Sequence, residues 1–206
     1  MPPAFTEKQK TRLRQKMMRT ARDLFARQGL KKTSLEDITR SAGIAKSTFY
    51  VFFESKEALF LELLAEDGPA ITAGLQSELS EAANARDGIA RLLRAIVHEL
   101  ETNALTRRML THPEDLQLLA DYATPEQLAA SNNTGLALIV PYLQAGQRSG
   151  EVIAGDPVLF ARVISAVTLL TLHRDKIGSD QYDQVMNTLI DLLAMALTIS
   201  EGGTES

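Results

Sequence analysis

Residues 33–60 contain two short segments of helical character that meet at a glycine, and this arrangement constrains the fold more than any other feature of the chain. The first segment follows Thr33 and ends at Ala42-Gly43-Ile44, and a second short helix is expected from about Ala45 to Phe52. Glycine permits the tight turn that such a pair of helices needs. The spacing is therefore typical of a helix-turn-helix.

The second of these helices divides into two sides when it is drawn as a helical wheel. Three aromatic residues fall on the side expected to be buried: Phe49, Phe52 and Phe53. The opposite side carries Lys46, Ser47, Tyr50 and Val51, with Thr48 on its flank. A cation, several hydroxyl groups and an apolar surface suit contacts to phosphates and base edges in a major groove. We therefore interpret this segment as a recognition helix.

Helix signals continue through the rest of the chain. Capping boxes are expected at Thr6–Gln9, Thr33–Glu36 and Thr124–Gln127. Gly29 is expected to stop the first helix, and Pro141 to kink or divide a helix from about 125 to 148. Alternating β-branched runs are missing. We expect an all-α protein of about nine helices, with a three-helix N-terminal helix-turn-helix domain followed by a larger helical domain.

Charge is distributed unevenly along the chain, although the net charge is only −4. Residues 1–60 carry 13 Lys and Arg against six Asp and Glu, a net of +7. The remaining residues carry nine Lys and Arg against 20 Asp and Glu, a net of −11. A basic N-terminal segment followed by an acidic remainder is expected when one end of a protein binds phosphates. A chance excess of cations on a solvated face would give the same totals.

From Gly29 to Leu59 the sequence resembles the DNA-binding domain of the TetR family. The matching features are Gly-x-x-x-Thr-Ser at 29–34, Asp37-Ile38, Ala42-Gly43-Ile44, Lys46, Thr48-Phe49-Tyr50, Phe53 and Ser55-Lys56-Glu57-x-Leu59. The resemblance implies that the remaining helices form a ligand-binding and dimerisation domain. The predicted domains are a DNA-binding domain at 1–55, an effector-binding and dimerisation domain at 56–200, and a flexible tail at 201–206.

The resemblance also implies which residues contact DNA. Ser34 and Tyr50 match positions that contact phosphates, and Lys56 matches the lysine that holds the backbone from the start of the fourth helix. Groove contacts are implied for three residues of the recognition helix: Lys46, Ser47 and Thr48. The alternatives are a packing aromatic for Tyr50 and a solvated helix-start residue for Lys56. Two residues depart from the family pattern: Ala45 replaces the usual N-capping serine, and Ser47 replaces a common glycine.

Two helices near the C-terminus, beginning at Asp156 and at Ser179, carry apolar arcs wider than one internal face requires. Such helices would pair with those of a second subunit as a four-helix bundle across a two-fold axis. Seven residues are expected in this dimer interface: Leu159, Val163, Val167, Leu170, Leu189, Leu193 and Leu197. The alternative is a thicker core within one subunit.

The expected function is that of a transcriptional regulator, most simply a repressor that a small-molecule effector releases from a palindromic operator on double-stranded DNA. Activation remains open, as does a DNA-bound scaffold that a protein partner controls without an effector. The sequence does not identify the effector or its binding residues. A cytoplasmic location is expected, because no signal peptide is evident and no apolar stretch approaches the roughly 20 residues that span a bilayer.

Enzymatic and metal-dependent functions are not expected. The chain has no Cys and only three scattered His, at positions 98, 112 and 173, without partners at metal-ligand spacing. A phosphate-binding glycine loop and a Glu-x-x-His pair are also missing. We therefore predict no metal, no cofactor and no catalytic residues.

Overall fold

The computed structural model of the chain describes residues 5–119, 122–123 and 125–199. Their helices are α1 (Glu7–Lys32), α2 (Leu35–Ala42), α3 (Lys46–Phe49), α4 (Lys56–Ser80), α5 (Ala85–Thr102), α6 (Ala104–Thr111), α7 (Pro113–Leu119), α8 (Pro125–Ser149), α9 (Pro157–Thr168), α10 (Arg174–Ile177) and α11 (Tyr182–Ala196). A 3-10 segment, Leu169–His173, connects α9 to α10. Within these described ranges no strand forms beyond an isolated bridge between Val152 and Thr198. The predicted all-α fold is confirmed.

The chain divides into two compact units, and the first combines the residues up to Gly68 with Ala104–Ala129. Its core is built around the buried face of α1, where Phe25 meets Phe60 of α4 edge to face at a centroid distance of 4.9 Å. Leu105 of α6 and Leu119 of α7 belong to the same core. Helices α6 and α7 thus pack on α1, although their sequences lie within the range 56–200 predicted for the effector domain.

Local capping signals decide where the first helices begin. Thr6 and Gln9 form the predicted capping box of α1. The box of α2 is formed by Ser34 and Asp37, so the predicted pair Thr33–Glu36 is wrong by one residue. Thr33 is occupied elsewhere, because its hydroxyl and its backbone N–H both donate to the carbonyl oxygen of Gly29, at 2.7 and 3.2 Å.

Gly29 interrupts α1 with a left-handed φ of 81°, but helical residues continue to Lys32, so this glycine kinks the helix and does not stop it as predicted. The guanidinium group of Arg108, from α6, lies where a Cβ atom at this position would be. Arg108 Nε also donates to Oδ2 of Asp115 at 2.8 Å, and Asp115 is only 1% exposed. A glycine is therefore required here both for the backbone conformation and for the close approach of α6.

The second unit combines Pro69–Asn103 with the residues from 130 onward. Helix α5 lies at its centre and packs against α9 and α11. Its buried core includes Ile89, Leu93, Met186 and Ile190. Helix α8 runs through Pro141, so this proline does not divide the helix, and the alternative of a kink stays a prediction.

One segment of the second unit is long enough and apolar enough to cross a membrane, judged by length and composition alone. Pro157–Ile177 is 21 residues long and has a mean hydropathy of 1.3 in its most apolar window. Of that window, 22% is buried. The prediction that no apolar stretch approaches the length of a membrane span is therefore wrong. The segment is divided into α9, the 3-10 turn and α10, and exposes Arg162 and Arg174. A helix that packs against another protein meets the same criteria, so the segment is weak evidence for a membrane location.

Candidate nucleic-acid interface

The turn between α2 and α3 has the geometry of a helix-turn-helix. Gly43 closes α2 in the left-handed conformation, with φ 62° and ψ 42°. The N–H group of Ile44 then donates to the carbonyl oxygen of Thr39 at 2.9 Å. This bond ends α2 and redirects the chain into α3, as the Ala42-Gly43-Ile44 pattern predicts.

Helix α3 is shorter than the predicted range from Ala45 to Phe52. Its four α-helical residues are followed by a turn in which Val51 and Phe52 donate backbone hydrogen bonds three residues back. Ala45 occupies the N-cap position and its side chain makes no capping hydrogen bond, as expected. The missing cap leaves the first backbone N–H groups of α3 without a side-chain acceptor, which weakens a helix of this length.

The predicted division of α3 and its following turn into two sides is confirmed. Phe49 is 0% exposed and Phe53 is 5% exposed, while Phe52 is half-buried. Four side chains on the other side are exposed: Lys46, Ser47, Tyr50 and Val51. Thr48 is half-buried on the flank. A well-packed aromatic anchor therefore presents one polar surface to solvent.

Tyr50 is 54% exposed, so its aromatic ring is not a core residue. The ring meets Phe49 edge to face, with the centroids 5.8 Å apart and the planes at 90°. This contact orients the ring and leaves much of it open to solvent. Tyr50 thus packs on Phe49 with one part of its ring and exposes the rest, and its contact with a phosphate stays a prediction.

Lys46, the first residue of α3, is paired with α2. Its ammonium group donates to Oε1 of Glu36 at 2.7 Å, and both side chains are more than half exposed. The hydrogen bond and the charge of Lys46 lower the pKa of Glu36, and Glu36 in turn raises the pKa of Lys46. The pair places one carboxylate on the surface that the sequence assigns to DNA.

Ser34 is held by its own helix. Its hydroxyl accepts from the N–H of Asp37 at 3.1 Å and donates to Oδ2 of Asp37 at 2.7 Å. The hydroxyl and the N–H of Ser34 together lower the pKa of Asp37. A hydroxyl has one hydrogen to donate, so Ser34 must release Asp37 before its hydroxyl can donate to a phosphate.

Lys56 joins three elements of the first unit. Its ammonium group donates to the carbonyl oxygens of Leu30 and Thr33, at 2.7 and 2.8 Å, and the side chain is 23% exposed. It is therefore not the solvated helix-start residue of the alternative interpretation. The glycine at position 29 is the sequence feature from which these hydrogen bonds of Lys56 could have been predicted. Carbonyl groups at the end of an interrupted helix need donors from elsewhere.

The predicted dimer residues lie in different surroundings within the second unit. Leu159 and Val163 are 54% and 43% exposed on α9. Three others are half-buried: Leu170, Leu189 and Leu193. Val167 and Leu197 lie in the core of the chain itself. Further exposed apolar side chains on and beside α9 and α11 are Val158, Leu169, Val185, Leu192, Met195 and Ile199.

In the part of the chain that is described, no group of His, Asp and Glu could hold a metal ion.

Comparison with known proteins assigns the chain to a family. Residues 18–63, which contain the helix-turn-helix, match the family model described as bacterial regulatory proteins of the tetR family. A 139-residue match to the regulator YdgC of Bacillus subtilis is 29% identical and covers 66% of this chain and 67% of that protein. The repressor KstR2 of Mycolicibacterium smegmatis is 25% identical over 96% of both chains.

Solved structures agree with the sequence relatives. The ketosteroid transcriptional regulator KstR2 of Mycobacterium tuberculosis superposes with a TM-score of 0.72 at 23% identity, over 91% of this chain and 95% of that one. At this identity the likeness shows the fold alone. These relatives are transcriptional regulators and not enzymes. Through the helix-turn-helix within residues 18–63, the chain belongs to the TetR family of bacterial regulatory proteins.

Proposed function

We propose that the protein is a homodimeric cytoplasmic repressor that binds a palindromic operator and is released from it by a small-molecule effector. The proposal rests on one observation about α3 and the turn that follows it. One face is buried through Phe49 and Phe53, and the opposite face is exposed and mostly polar. Base edges in a major groove are read by such side chains on a rigidly held helix. The basic residues 1–60 add the electrostatic attraction that phosphates require.

The proposed contacts follow from how each side chain is held. Lys46, Ser47 and Thr48 lie at the start of α3 and would reach base edges in the groove. Tyr50 would donate its hydroxyl to a phosphate. Ser34 and Lys56 are engaged within the protein, so their phosphate contacts would use the backbone N–H groups at the start of α2 and the remaining N–H of the ammonium group.

Dimer formation is supported by the exposed apolar side chains of α9 and α11. Leu159, Val163 and Leu192 are each more than 40% exposed in the single chain. Large apolar side chains that stay exposed in this number are costly to leave in water and are typical of subunit interfaces. A dimer also has a functional reason, because two recognition helices about 34–36 Å apart can enter successive major grooves of a palindrome.

The proposed effector acts through the helical domain predicted from the sequence at 56–200. A ligand that favours one arrangement of the two recognition helices shifts DNA affinity by its difference in affinity for the two states, typically about 1–3 kcal/mol. The name of the structural relative KstR2 refers to ketosteroids. Ketosteroids are therefore a reasonable first group of test compounds for this chain.

The first experiment is selection of binding sites from random duplex DNA with purified full-length protein at physiological salt. A palindromic consensus would support a dimeric, sequence-specific regulator. Salt-sensitive binding without sequence preference would contradict that proposal. Addition of candidate effectors to the complex with the selected site then tests release, and reporter expression with and without the protein distinguishes repression from activation.

The alternative is a DNA-bound regulator that a protein partner controls without any effector. The exposed apolar face of α9 and α11 favours it, because that face suits a second protein as well as a second copy of this chain. Sedimentation of the purified protein separates the two. A dimer that buries the face supports the first proposal, and a monomer that still binds one half-site supports the second.

A further inference from the structure

The cations of α1 differ in whether the protein itself balances their charge. Arg14 forms an ion pair with Glu62 of α4, and Arg22 forms ion pairs with Glu66 and Asp67 of the same helix. Lys10 is paired with Glu7 at 2.8 Å. The charges of these three residues are therefore already balanced within the protein.

Among the cations of α1 that form no such pair are Lys8, Arg12 and Lys16, which we call the outer row. These residues are four apart, so they follow one ridge of the helix surface. All three are exposed, and none forms an ion pair with any residue that the structure describes. Three cations of one sign on one ridge repel each other, and a negatively charged partner would relieve that repulsion.

The outer row begins at the turn of the helix-turn-helix. The ammonium group of Lys16 lies 3.5 Å from the position that a Cβ atom would take at Gly43. From Lys16 to Lys8 the helix extends by about 12 Å, at 1.5 Å per residue. That length is close to the rise of about three base pairs of DNA. The row is thus continuous with the recognition surface and leads away from it.

We propose that Lys8, Arg12 and Lys16 form a second phosphate-binding track, which holds the DNA backbone beside the segment that α3 reads. The inference rests on the DNA binding proposed above and extends it beyond the helix-turn-helix. Ammonium and guanidinium groups bind phosphate oxygens by charge-assisted hydrogen bonds and carry no base preference. The track therefore contributes affinity equally to operator and to other DNA.

The test compares two double variants of the full-length protein that remove the same charges from the same helix. One removes Arg12 and Lys16 of the outer row (R12Q/K16Q), and the other removes the paired residues Lys10 and Arg14 (K10Q/R14Q). Glutamine keeps a long side chain and a good helix propensity. Dissociation constants are measured on a 40-base-pair duplex of random sequence from about 50 to 200 mM salt.

The outer-row variant should lose about 0.9 in the slope of log K against log salt for each phosphate contact removed. The paired variant should change this slope much less, because its charges are already balanced by Glu7 and Glu62. Equal changes in the two variants, or none in the first, would overturn the proposal.

Two controls keep the outcome interpretable. Arg12→Lys retains the charge, so its slope of log K against log salt should equal that of the wild-type protein. Thermal unfolding identifies any variant that is misfolded. The random duplex needs no operator, so failure of the wild-type protein to select a palindrome would reject the proposed function and leave this test intact.

Discussion

The ammonium group of Lys46 lies 2.7 Å from Oε1 of Glu36, so the first residue of the recognition helix is paired with α2 in the free protein. Both partners are exposed, and exposed ion pairs are weak and sensitive to salt. A phosphate or a guanine base can therefore replace the carboxylate when DNA binds. Glu36 would then remain as a negative charge beside the DNA.

Glu36→Gln should strengthen binding to all DNA sequences and reduce discrimination between operator and random duplex. The substitution removes a carboxylate that competes with phosphates for Lys46, and it leaves the shape of α2 nearly unchanged. Competition binding with labelled operator and unlabelled random duplex measures the specificity ratio. Glu54→Gln is the matched control, since it removes an exposed acid of the same unit that is not paired with Lys46.

Tyr50→Phe should lower affinity for operator and random duplex alike, by about 1 kcal/mol, because one neutral hydrogen bond to a phosphate is lost. The free energy of unfolding should not change, since the ring keeps its edge contact with Phe49 and the hydroxyl is exposed. Fluorescence anisotropy on both duplexes, with thermal unfolding of the same sample, checks this. An affinity loss confined to the operator would instead make Tyr50 a base contact.

Lys56→Met should lower the free energy of unfolding by about 2 kcal/mol, because two hydrogen bonds from a charged donor are lost while the apolar stem is kept. The acceptors, at Leu30 and Thr33, belong to the end of α1 and the entry to α2. Urea denaturation measures the change. An unchanged midpoint accompanied by weaker DNA binding would show that Lys56 acts on phosphates alone.

Asp37 should make stability depend on pH in the acid range. Hydrogen bonds from Ser34 lower its folded-state pKa below the ordinary value of 3.8. The resulting stabilisation is fully present above the unfolded-state pKa and is lost as the pH falls below 3.8 through the folded-state pKa. As the pH falls below 3.8, the melting temperature of the wild-type protein should fall more steeply than that of Asp37→Asn. Parallel curves for the two proteins would argue against this role.

Gly29→Ala should destabilise the first unit by about 1–3 kcal/mol, because a side chain at φ 81° is strained and would displace the guanidinium group of Arg108. Chemical denaturation measures the effect. Gly74→Ala is the matched control. Gly74 lies within α4 with open space around its Cβ position, so the same substitution there should leave stability unchanged or raise it slightly.

Several features of the fold and of the candidate site could be predicted from the sequence because they depend on residues close together in the chain. The capping box at Thr6, the interruption at Gly29 and the turn at Gly43 each follow from conformational preferences within about five residues. The two sides of α3 follow from helical periodicity alone, which places Phe49 inside and Tyr50 outside.

Tertiary structure alone decided the features that join distant parts of the chain. It directed the ammonium group of Lys56 to carbonyl groups more than twenty residues away. It also placed Arg108 of α6 against Gly29 of α1. Backbone groups freed at an interrupted helix need partners, but only the packing of whole helices determines which distant side chain supplies them.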